Sequence, residues 1–104
     1  MIKAQEAQNM VQNSKANAIT SIKNALCERE DKFNEEITKA ANTGKEYVYL
    51  PFYVKYNNNF YKETADTICK FFFSYGYVVE RIIKKDNIAE IESILICWEA
   101  KENE

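Results

Sequence analysis

Histidine is absent from this sequence. With it go the commonest general base, the commonest zinc ligand besides cysteine, and every Ser-His or Cys-His nucleophile arrangement. Glycine occurs twice and proline once, too few for a flexible linker protein, a collagen-like repeat or a disordered tail. The three cysteines, Cys27, Cys69 and Cys97, lie far apart with no CxxC spacing. Their odd number fits a reducing compartment, where they read as small buried hydrophobes, better than a disulfide framework. Basic excess is missing too: 14 Lys and Arg against 16 Asp and Glu give a net charge of −2. That is not the electrostatic footprint of a duplex-binding protein, so nucleic acid is not an expected partner. No apolar run approaches the roughly 18 residues of a membrane span, and the opening residues hold no apolar signal core. The expected location is cytoplasmic, with no membrane partner.

What is present suits one ordered domain over residues 1–104, 46% hydrophobic and 13% aromatic. From residue 2 to about 42 there is neither Gly nor Pro, and Val11, Ala18, Ile22, Leu26, Phe33, Ile37 and Ala40 recur at helical steps. A continuous helix of that length would reach about 60 Å, too long for a compact domain of this size. The reading therefore places a break near Asn13-Ser14. It gives an N-terminal arm or short helix over 1–14 and a long helix over 15–43, stopped by Gly44.

From Glu46 the period changes to two. Val48, Leu50, Phe52 and Val54 face one way and Tyr47, Tyr49 and Tyr53 the other, with Pro51 marking an edge strand or a bulge. Lys55 to Asn59 read as a turn, and residues 60–75 as a helix ended by Gly76. Phe71, Phe72 and Phe73 spread around that helix so that one of them overhangs the core. Two further strands, 77–84 and 91–98, form a hairpin, and 99–104 form an acidic tail. Under strict alternation both faces of the hairpin are apolar. The expectation is that helix 60–75 covers one face, and the N-terminal helix or another subunit the other. The fold class is α+β: a long N-terminal helix followed by β-α-β-β with a three-stranded sheet, the first two strands parallel if adjacent.

Few residues carry chemistry. The carboxylate pairs Glu30-Asp31 and Glu35-Glu36 read as solvated helix charges, the second pair within reach of Lys32 and Lys39. Glu63 and Asp66 alone are too few to complete a metal site. No phosphate-cradling loop, nucleophile elbow or kinase signature occurs, so no enzyme, metal or cofactor is expected. Tyrosine combines large contact area with a hydroxyl and low entropy cost. The row Tyr47, Tyr49, Tyr53 is therefore either packing beneath the N-terminal helix or a ligand surface. In the second case Asn57 and Asn58 supply amide groups and Arg81 or Lys55 meets a phosphate. Arg81, placed mid-strand among apolar neighbours, reads first as the partner of a helix acid. The uncovered apolar surface predicts a homo-oligomer.

The charged N-terminal helix, the short strand, the Gly-aromatic step Tyr75-Gly76-Tyr77-Val78 and the closing Ile96-Cys97-Trp98 resemble small α+β accessory proteins encoded by phages and prophages. The resemblance is architectural, covers most of residues 15–98 and carries over no functional residue. It implies a non-enzymatic binding protein in the host bacterial cytosol that counters host immunity, by sequestering a nucleotide-type signal or by blocking a host defence protein. The alternative is a structural or assembly oligomer with no small-molecule ligand.

Overall fold

The computed structural model describes residues 1–86 and 88–98. The elements are α1 (Ala4–Glu28), α2 (Glu30–Asn42), β1 (Tyr47–Lys55), a single 3-10 turn (Asn58–Phe60), α3 (Tyr61–Phe73), β2 (Val78–Lys84) and β3 (Glu90–Cys97). Together they make the expected α+β fold, while the acidic tail and Asn87 lie outside the described residues.

The helix break falls at Arg29, fifteen residues beyond Ser14, and α1 runs unbroken through Asn13-Ser14. No glycine or proline marks the joint. Its cause is tertiary: α1 packs along α3 whereas α2 packs on β1, and one straight rod cannot serve both. Arg29 leaves helical geometry (φ −103°, ψ 6°) and closes the last turn with an N–H donated to the Leu26 carbonyl. Glu30 and Asp31 then open α2, where negative charge favours the helix N-terminus. Both glycines stop their helices as expected. Gly44 (φ +85°) and Gly76 (φ +91°) sit in left-handed geometry after α2 and α3. Lys45 N–H reaches the Ala40 carbonyl and Tyr77 N–H the Phe72 carbonyl, the long closing bond of a Schellman end.

The sheet order is β1-β3-β2, with both pairings antiparallel. β1 and β2 therefore run parallel, but β3 is slotted between them. Pro51 sits on the edge strand β1 at the start of a bulge, so both of its expected consequences hold.

All three helices contribute to one core on one face of the sheet. Ile22, Leu26, Phe33, Ile68 and Phe72 meet Leu50, Phe52, Ile91, Ile94 and Ile96 there. Phe33 is its centre, edge-on to Phe52 with ring centroids 5.9 Å apart and tilted against Phe72 at 5.4 Å. Phe72 is buried, Phe71 half-buried and Phe73 exposed, as their spread around the helix requires. The core does not extend under the start of α1, where every residue from Met1 to Ser14 is exposed. α1 thus projects, and the molecule measures 62 × 32 × 22 Å.

The hairpin departs from expectation in an instructive way. Its apolar residues are not divided evenly between the faces, because register shifts interrupt the alternation: Val78, Ile83 and Leu95 stay on the outer side and the others turn inward. One lies between Val79 and Arg81 on β2, and another gives β3 an extra residue between Ser93 and Ile91. Each extra residue reverses the parity of the remainder of its strand, so Val79, Ile82, Ile91, Ile94 and Ile96 all turn to the core. Among the described residues no helix covers the other face.

Candidate functional site

The uncovered face is built from three rows of residues paired across the sheet. Tyr47, Cys97 and Val78 form one row, Tyr49, Leu95 and Arg81 the next, and Pro51, Ser93 and Ile83 the third. Residues paired directly across strands project to the same side, and the core-facing alternates Val48, Leu50 and Phe52 fix that side as outward. Tyr47 and Tyr49 are 48% and 49% exposed, Tyr53 59% and Val78 51%. The tyrosines are not packed under the N-terminal helix, which lies on the opposite face of the sheet. The surface thus has an aromatic edge on β1, an aliphatic centre at Leu95 and a mixed edge on β2.

Arg81 belongs to this surface because of the β2 bulge. Strict alternation would place it beside Val79, facing inward; the shift pairs it with Leu95, facing outward. The expected salt bridge to a helix acid does not form: Arg81 is exposed and, among the described residues, has no ion-pair partner. Its neighbour Glu80 accepts a hydrogen bond from the Cys97 thiol at 3.1 Å. Tyr53 lies in the bulge of β1, where its carbonyl accepts from the Arg29 guanidinium.

Asn57 and Asn58 do not join the tyrosines. They lie past the end of β1, about 30 Å along the strand from Tyr47 at roughly 3.3 Å per residue. The Asn57 side-chain oxygen accepts from the Asn59 N–H at 2.9 Å and so caps the 3-10 turn. Asn57 borders a recess against α1, with Ser14, Asn17 and Thr64, while Asn58 borders a second beside Lys84 and Lys85. Of the candidate residues, the sheet face gathers Tyr47, Tyr49, Tyr53 and Arg81.

Sequence reasoning missed the groove between α1 and α3, about 620 Å³, bordered by Ile19, Lys23, Cys27, Glu63, Asp66 and Lys70. Its two lysines face two carboxylates, so it offers an anion no net attraction. The three cysteines are not the buried hydrophobes expected: Cys27 and Cys69 are exposed thiols and Cys97 is half-buried. Partial burial and the Asp66 carboxylate push the Cys69 thiol above its ordinary range. On α2, Lys32 and Lys39 interleave with Glu35 and Glu36 at 3.2–3.9 Å, the solvated charge ladder expected there. The Lys39 hydrogen bond and both lysine charges lower the Glu35 carboxyl. Among the described residues no helix is long and apolar enough to cross a membrane, and no three metal-ligating side chains cluster.

No protein-family model, no curated protein and no solved structure matches the chain.

Proposed function

We propose that this chain is a non-enzymatic interaction protein whose working surface is the open face of its sheet, and that the surface takes a protein rather than a nucleotide. The observation that carries this reading is the row Tyr49–Leu95–Arg81: a half-exposed ring, an aliphatic centre and a guanidinium with no ion-pair partner among the described residues, on a face that none of their helices covers. Tyrosine and arginine anchor protein interfaces out of proportion to their numbers. A nucleotide trap calls for a concave site that encloses its ligand. The amide groups that would complete one, at Asn57 and Asn58, lie past the end of β1, beyond the rows that hold Tyr47, Tyr49 and Arg81. In the phage-type setting that the architecture resembles, either protein occupant, a host defence protein or a copy of this chain, ranks ahead of a nucleotide signal. The assembly reading uses the same face with copies of this chain as its occupant.

Photo-crosslinking in the producing cell tests the proposal. A benzophenone amino acid at Tyr49 should yield a protein adduct, whereas the same group at Asn24, exposed on α1 away from the sheet, should not. Absence of an adduct at Tyr49, or equal adducts at both positions, rejects the face as a docking surface. Recovery of a nucleotide from the purified protein, lost in Tyr49→Ala, would restore the sequestration reading.

A further inference from the structure

We infer that the occupant of the open sheet face is a second copy of this chain, packed face to face about a two-fold axis parallel to β3; this rests on reading that face as a docking surface. The argument is one of self-complementarity. β1 and β2 flank β3, so such an axis lays the β1 of one protomer over the β2 of the other and keeps each cross-strand row at its own level. The ring of Tyr49 then meets Arg81 of the second copy, and Arg81 meets the second Tyr49, because both belong to the Leu95 row. Tyr47 meets Val78 in the same reciprocal way, from the Cys97 row. Leu95 lies on the axis and meets itself.

This pairing answers what the lone chain leaves open. The Arg81 guanidinium, which has no ion-pair partner among the described residues, gains an aromatic face to stack on, with attraction out to about 6 Å from the ring centre. Leu95 and Ile83, outside the core cluster, gain apolar neighbours. Sheets packed in this way keep their strands within about 30° and sit about 10 Å apart, a spacing filled by side chains of this size. The area lies at the lower end of what a specific interface needs. Three tyrosines about half exposed, each of roughly 200 Å², offer about 300 Å². With Val78, Arg81, Ile83 and Leu95 the face approaches 600 Å² per protomer, the lower bound of a specific interface.

Sedimentation equilibrium of the purified chain is the test. The expected result is a dimer with a dissociation constant of about 1–10 µM, within the range of small specific interfaces. Tyr49→Ser and Arg81→Ala should each weaken it about tenfold or more with an unchanged far-UV circular dichroism spectrum. A monomer at about 100 µM overturns the inference, as does a dimer that both substitutions leave intact. The photo-crosslink at Tyr49 separates the two levels of claim and does not depend on either variant. An adduct of two copies supports the dimer. An adduct only with a different protein overturns the second copy while leaving the docking surface standing, and no adduct overturns both.

Discussion

The guanidinium of Arg29, at the joint between α1 and α2, donates to the carbonyl of Tyr53 in the bulge of β1 at 3.3 Å. Its other terminal nitrogen reaches the Ala25 carbonyl at 3.2 Å, and its carbon lies 5.4 Å from the centre of the Phe52 ring. One side chain therefore joins the place where the helix turns to the place where the strand bends. The turn lets two helices pack on different elements. Through the bulge β1 keeps its alternation, with Phe52 in the core and Tyr53 exposed on the other side.

Arg29→Ala should destabilise the chain by about 1–2 kcal/mol, the lower part of the range for hydrogen bonds to a charged group, since the site is partly exposed. Urea denaturation measures it. A loss under about 0.5 kcal/mol, the scale of an ordinary surface change, would show that the joint holds without this contact.

The central ring gives a sharper contrast. Phe33 is 2% exposed between Phe52 and Phe72, and Phe33→Ala should cost about 3–5 kcal/mol. Phe73, 74% exposed one helix position beyond Phe72, should cost less than about 0.5 kcal/mol on the same change. Equal losses would contradict the placement of the core.

A pH dependence arises from Tyr75, whose hydroxyl donates to the Glu30 carboxylate at 2.6 Å. That hydrogen bond, with the carboxylate charge, raises the phenol above its usual value of 10.0. A raised folded-state value means that the contribution to stability is fully present below about pH 10 and is lost as pH rises through the folded value. Titration of tyrosine absorbance should show a component ionising above the ordinary range that Tyr75→Phe removes. If the component lost in Tyr75→Phe instead ionises in the ordinary phenol range, the contact does not persist in solution.

At Gly76 an added Cβ would meet no atom within 4 Å, so only the backbone opposes substitution. Gly76→Ala should cost about 1 kcal/mol, the penalty of left-handed geometry for a residue with a side chain. Thermal unfolding checks this, and an unchanged midpoint would mean that the end of α3 is formed differently.

The elements were legible in the sequence where a local signal sets them, and illegible where the decision is long-range. Gly44 and Gly76 announced both helix stops, and the period-two run from Tyr47 gave β1 with its inner and outer sides correct. Arg29 carried no breaker. Only the acids Glu30 and Asp31, which suit a helix start, pointed to a joint there. The outward side of Arg81 was hidden because one extra residue on β2 reverses parity. The same cause hid that Val79, Ile82, Ile91, Ile94 and Ile96 share the core face, with Val78, Ile83 and Leu95 left on the other. The tyrosine row and Arg81 were named from residue type, but their meeting across β3 depends on a strand order that no local pattern encodes.

Hydroxyl-radical footprinting of the purified chain at about 100 µM and again at about 0.1 µM, well above and well below the dissociation constant expected of the dimer, tests the central claim most directly. The account predicts that Tyr47, Tyr49 and Leu95 are protected at the higher concentration and become reactive on dilution, while Phe73 and Met10, exposed away from the sheet face, react equally at both. Equal reactivity of Tyr47 and Tyr49 at the two concentrations would contradict it.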